Sequence, residues 1–236
     1  MGAAVAGGAL LVALGGCSVK RAENIDLVAG KKAFVAKCGS CHVLSRAGTK
    51  GSVGPNLDEA FRNSIGVGIE RNTLRGVVNQ QILFPEIGGV MPAKLVGTKL
   101  AKDISAYVAF AVDKTGTDAG LLGSAVAAAG AGKPAVETAG TLEIDADPSG
   151  QLAYVTNKAT AKPGSVTIKM QNKSGTPHNI AIQQGTGASG PILGASPIVP
   201  NGLAMAKVTL KAGTYTFFCQ VPGHRVGGML GTLTVK

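Results

Sequence analysis

Few side chains in this sequence can do redox or metal chemistry: four Cys (17, 38, 41, 219), three His (42, 178, 224) and five Met (1, 91, 170, 205, 229). Two tight groupings account for half of them. In Cys38-Gly39-Ser40-Cys41-His42, two thiols stand three residues apart with an imidazole directly behind the second. In the segment from Cys219 to Met229, an imidazole at His224 follows the thiol by five residues, and a thioether follows the imidazole by five more. Thiolate and thioether sulfur are soft donors, and imidazole suits the same redox-active metals. Four Cys in an exported chain would by default mean two disulfides, but these spacings argue for metal chemistry instead.

The first grouping is the C-x-x-C-H pattern of covalent haem attachment. Two thiols at that spacing on a helix end can each reach one vinyl group of a porphyrin, and the adjacent His42 then lies beneath the iron. No second C-x-x-C and no H-x₃₋₅-H follows, which disfavours zinc. Over about residues 25–113 the chain resembles class I cytochromes c. Gly30 and Phe34 stand before the motif like the small/aromatic pair of that family's first helix, and Ile104 and Tyr107 match the pair on its last helix. Gly54-Pro55-Asn56-Leu57 is similar to the family's GPxL segment, and Met91-Pro92 to its distal-ligand segment. The resemblance implies a haem c bound through Cys38 and Cys41, with His42 and Met91 as iron ligands and the Pro55 carbonyl accepting a hydrogen bond from His42. His/Met ligation leaves no open iron position, so one-electron transfer is expected in place of O₂ or peroxide chemistry.

The second grouping supplies three of the four donors of a blue-copper site, and the fourth should come from a distant strand. His178, in Thr176-Pro177-His178-Asn179, is the remaining candidate. Over roughly residues 141–236 the chain resembles cupredoxins, in which the early ligand is a His often followed by Asn. Gly213–Cys219 (GTYTFFC) is similar to the family's strand running into the Cys. The C-x₄-H-x₄-M loop is most similar to those of rusticyanin and sulfocyanin. The resemblance implies a type 1 copper held by His178, Cys219, His224 and Met229. A catalytic second copper, as in a haem-fused nitrite reductase, would need further histidines, and none is left. A dinuclear CuA centre would need two Cys in the loop, where only Cys219 stands. A metal-storage protein would have exposed, loosely spaced ligands.

These groupings require elements to hold them. A helix is expected from Ile25, capped by Asn24 or Asp26, with Leu27, Phe34 and Cys38 near one face. A Gly-rich middle follows, then a helix from Thr98, as N-cap, to about Asp113, carrying Leu100, Ile104, Tyr107/Val108 and Ala111 at helical spacing. Residues 114–139 are rich in Ala, Gly, Ser and Thr without amphipathic period and read as a flexible linker, with a short helix at 121–129 as the alternative. From Thr141 the period becomes two: Val166, Ile168 and Met170; Val208 and Leu210; Tyr215, Phe217 and Cys219; Met229, Leu233 and Val235. Short strands between Gly, Pro and Asn suggest a β-sandwich. The expected fold class is multidomain: an all-α cytochrome c domain (25–113), the linker, and an all-β Greek-key cupredoxin sandwich (140–236).

Residues 1–16 are apolar and small and end Leu14-Gly15-Gly16-Cys17. The stretch is short for a membrane span and suits a signal h-region. Its last four residues resemble a bacterial lipobox, which implies acylation of Cys17, a tether over 18–24, and a soluble part at the outer face of the cytoplasmic membrane. The net charge is +10 and both halves are basic, so redox protein partners with acidic docking faces are expected. Aromatics at 4%, with no Lys/Arg-dense arm, exclude nucleic acid as the expected partner. The expected function is that of a membrane-anchored respiratory electron carrier, not an enzyme, passing single electrons between haem and copper. By resemblance its neighbours would be a quinol-oxidising complex and a terminal oxidase.

Overall fold

The computed structural model describes residues 24–236. The expected signal segment and Cys17 lie outside them, as does nearly all of the tether. Among the described residues, no helix is long and apolar enough to cross a membrane.

The first half is helical. Helix α1 (Leu27–Lys37) is capped by Asp26, whose side chain accepts from the amides of Val28 and Ala29 and so satisfies donors the helix leaves unpaired. It ends at Cys38, so the C-x-x-C-H begins where the helix stops. A two-stranded ladder follows, β1 (Val43–Leu44) with β2 (Thr49–Lys50), so this half is not purely helical. Two helices then occupy the Gly-rich middle, to which the sequence assigned no element: α2 (Leu57–Gly66), capped by the Asn56 side chain, and α3 (Arg71–Leu83). Helix α4 (Thr98–Ala111) starts one residue earlier than expected, with Gly97 in the cap position and Thr98 as the first helical residue.

Helices α1 and α4 cross at Gly30. A Cβ there would lie far inside van der Waals contact with the Asp103 carbonyl, so only glycine allows this approach. Phe34 and Tyr107 then meet with ring centroids 6.4 Å apart. Around them Val35, Leu44, Leu74, Ile82, Ile104 and Val108 form the buried core of this half.

Residues 114–139 are not a free tether. Asp118 is buried and accepts from Arg46 Nε at 2.6 Å and from the Tyr107 hydroxyl at 2.8 Å, with Lys31 Nζ 2.9 Å away. Lys31 also donates to the carbonyl of Leu122, in the single-turn helix α5 (Gly120–Gly123). Leu122 and Val126 pack on the helical core. The segment's far end joins the sandwich as β3 (Ala135–Val136). Composition concealed this, because the anchoring comes from one carboxylate and its cationic partners and not from an apolar period.

The second half is a sandwich of two sheets. One orders β4 (Thr141–Glu143), β6 (Gly164–Asn172) and β9 (Gly202–Leu210). The other orders β3, β5 (Lys158–Ala161), β11 (Leu230–Val235), β10 (Gly213–Phe218), β7 (Ala181–Gln184) and β8 (Ile192–Ala195). Every second residue of β6 from Val166 and of β9 from Ala204 is buried, as the two-residue period requires. Ile168, Met170, Ile182, Phe217 and Leu233 share the core between the sheets.

Candidate metal centres

Strands β10 and β11 pair as a hairpin whose ladder extends one step past both ends: the Cys219 amide donates to the Met229 carbonyl at 3.1 Å. Cys219 and Met229 are thereby fixed opposite one another. The intervening loop turns back on itself, with Met229 N–H donating to His224 O at 2.9 Å, which brings His224 over the hairpin mouth. His178 arrives from the strand side, bridged in both directions to the Val199 backbone.

The three side chains converge. His178 Nδ1 and His224 Nδ1 are 3.1 Å apart, and Cys219 Sγ lies 3.5 Å from His224 Nδ1 and 4.0 Å from His178 Nδ1. Within the described residues, these form the group of His, Cys and acidic donors close enough to hold a metal ion, with all ligand atoms within 4.8 Å. All three are buried, and Met229 is fully buried in the same core. No carboxylate belongs to this cluster, so the donor set is soft sulfur and imidazole, which suits copper and not magnesium or calcium.

Burial fixes the protonation states. The Cys219 thiol is pushed up by burial, opposed by backbone N–H groups of Asn179 and Val221 that donate to its sulfur. His178 is lowered to about 4, by burial first and then by His224, and burial also lowers His224. Neutral imidazoles are the form that binds metal, and a metal cation is what draws the proton from such a thiol.

Asn179 locks the two ligand segments together. Its Oδ1 accepts from the Gln220 amide at 2.8 Å, and its Nδ2 donates to Gln220 Oε1 and to the Ser196 carbonyl. The Asn179 carbonyl accepts in turn from the buried Tyr154 hydroxyl at 2.7 Å, and Tyr154 stands edge-on to Phe217. The sequence flagged Asn179 by its place after His178; nothing in it pointed to Tyr154 or Gln220.

Residues 141–236 are a cupredoxin domain: they match the family model for copper binding proteins of the plastocyanin/azurin family. Among solved structures, the chain is similar to reduced auracyanin from Roseiflexus castenholzii, at 29% identity over 42% of this chain and 99% of that one, with a TM-score of 0.36. It is also similar to auracyanin A, a blue copper protein of Chloroflexus aurantiacus (28% identity, 44% and 100% coverage, TM-score 0.36), and to rusticyanin from Thiobacillus ferrooxidans (24%, 44% and 82%, TM-score 0.32). A search of the curated proteins finds no match.

The helical half gathers its candidates around a cleft. Two adjoining cavities, of about 290 and 240 Å³, share Cys38, His42, Pro55 and Met91 as common walls. Phe34, Leu57, Phe61, Val78, Ile82, Ile104 and Val108 make the inner cavity apolar, while Cys41 lines the outer one. His42 Nδ1 lies 2.9 Å from the Pro55 carbonyl. A carbonyl only accepts, so Nδ1 carries the proton and Nε2 keeps its lone pair for a metal. Gly54 allows this contact, since a Cβ there would come within 2.5 Å of the His42 ring. Gln81 Nε2 donates to Met91 Sδ at 3.9 Å, a contact that no sequence signal announced. Cys38 and Cys41 are unpaired thiols, and burial followed by the charge of Cys41 pushes Cys38 up to about 12.

Proposed function

We propose that the chain is a two-centre, one-electron carrier, with haem c in the helical half and a type 1 copper in the cupredoxin domain. The copper reading rests on the family match and the buried His–Cys–His–Met donor set. The haem reading rests on one observation above all. Cys38, His42, Pro55 and Met91, up to 53 positions apart in the chain, wall a single apolar cleft between them. In this reading Cys38 and Cys41 carry the porphyrin, His42 and Met91 hold the iron, and Pro55 orients His42. His178, Cys219, His224 and Met229 hold the copper.

Bound there, haem and copper each supply a reversible one-electron couple. The protein residues would supply the ligands to both metals, hold those ligands still and exclude water. A buried, rigid donor set lowers the rearrangement that each change of oxidation state requires. Electron transfer, and not substrate turnover, is the activity such sites serve.

Acylation of Cys17 would place the carrier at the outer face of the cytoplasmic membrane. The net charge of +10 favours acidic redox partners, between a quinol-oxidising complex and a terminal oxidase. Metal and haem analysis of the exported protein, with redox-titrated visible spectra, tests the reading. One thioether-linked haem and one copper per chain are expected, with a thiolate-to-copper band that Cys219→Ser abolishes. Zinc in place of both, or two coppers per chain, would overturn it.

A further inference from the structure

The two halves meet along their candidate metal sites. The outer cavity beside Cys38, Cys41 and His42 is closed on its far side by Ser174, Gly175, Thr176 and Pro177 of the cupredoxin domain. Pro177 is peptide-bonded to His178, whose ring faces His224 and Cys219. A second contact lies alongside. Gly223 and Gly227–Gly228 of the copper loop approach the segment just beyond the C-x-x-C-H: a Cβ on Gly223 would sit 3.2 Å from Ser52 Oγ, and Gly227 and Gly228 share a cavity with Gly39, Thr49 and Lys50. A third contact brings Gly150 onto the end of α1, where a Cβ would sit 2.7 Å from the Ala36 carbonyl. Gly150 has φ +85°, so both its conformation and the close approach call for glycine.

The wall segment is itself held firmly. Asn172, buried at the end of β6, donates through Nδ2 to the carbonyls of Thr176 at 2.7 Å, Val199 at 2.8 Å and Pro200 at 3.2 Å. Its Oδ1 accepts from the amide and hydroxyl of Ser174. One amide thus ties the cleft wall to the backbone that pairs with His178. The segment 114–136 holds the halves in place from both ends, through Asp118 on the helical side and β3 on the sandwich.

Resting on the two-centre reading, the geometry points to a fixed electron-transfer seam in which Ser174–Pro177 joins the haem cleft to the copper ligand His178. The step moves one electron from one metal to the other. One metal is oxidised and the other reduced by one unit, no bond forms or breaks, and no proton moves. A docked seam differs from tethered collision, since transfer needs no diffusive search and the rate is set by contact.

The test uses the full-length protein with both chromophores, reduced by a photochemical one-electron donor. The wild-type rate between the centres should not change with protein concentration or with solvent viscosity. Ser52→Trp and Lys50→Trp place bulk at exposed positions on the helical side of the seam, outside the candidate ligand set. Each should slow transfer by roughly tenfold or more, because small misplacements of a reacting pair have large effects on rate. Both visible spectra should stay unchanged, and small-angle scattering, which needs neither metal, should show a longer molecule than the wild type. A wild type whose scattering already fits two separated halves overturns the seam. So does a wild-type rate that falls with viscosity, or a pair of variants that transfer at the wild-type rate. A missing chromophore in the wild type refutes the two-centre reading instead, while scattering still judges the seam.

Discussion

The candidate copper donors and the proposed haem donors sit in different surroundings. Cys219, His224 and Met229 belong to one hairpin and its loop, and with His178 they lie inside a core that the sandwich builds from its own residues. Cys38, Cys41, His42 and Met91 are only half-buried, on the walls of a cleft between α1, α3 and α4. A single ion needs a few converging atoms, and a finished fold can offer them. A porphyrin is large enough to be part of the core of the half that holds it. The sandwich should therefore fold first and bind afterwards, whereas the helical half should depend on its cofactor.

The largest expected effect follows from that contrast. Replacing both thiols proposed to carry the haem, Cys38→Ser with Cys41→Ser, should abolish cooperative unfolding of the helical half while the sandwich keeps its near-UV circular dichroism. Cys219→Ser should lose the thiolate-to-copper band yet leave both transitions in place. Two intact transitions in the double variant would mean that the cleft residues are self-sufficient, and the contrast would fail.

The Asp118 clamp comes next. Asp118→Ala leaves Lys31, itself buried, and the largely buried Arg46 without their counter-charge. Breaking a buried pair from one side costs about 3–5 kcal/mol, measurable as a lower urea midpoint of the helical transition. Burial would raise the Asp118 pKa, but hydrogen bonds from Lys31, Tyr107 and Arg46 outweigh it and hold the carboxyl below its ordinary 3.8. A depressed carboxylate stabilises the fold at pH values above 3.8, and that contribution fades as pH falls below it. The wild type should therefore lose more stability than Asp118→Asn over that acid range.

A paired comparison is the finest. Asn179→Ala leaves the part-buried Gln220 amide without its acceptor and should cost about 1 kcal/mol in the sandwich transition, while broadening the copper spectrum. Gln81→Leu removes only one long N–H···S contact at a partly exposed rim, so its stability effect should stay within about 0.5 kcal/mol. Equal costs at the two positions would show that the cleft is as rigidly built as the copper site.

The sequence alone carried the donor types, their order and the change of period at Thr141, because these are properties of short segments. C-x-x-C-H and C-x₄-H-x₄-M need only a helix end and a hairpin to become geometry, and α1 with the β10–β11 hairpin supplied both. Asp26 was legible as a cap for the same local reason. Tertiary structure decided what local pattern could not. Helices α2 and α3 form in the Gly-rich middle, to which the sequence assigned no element, and burial of Leu74 and Ile82 holds α3 there. His178 reaches His224 across 46 positions only because two strands bring them together. The segment 114–139 lacks any apolar period, yet Asp118 anchors it, since a buried carboxylate must find its cations wherever the fold places them. The facing of the haem-candidate cleft and the copper-ligand segment is likewise a property of surfaces meeting, which no run of residues encodes by itself.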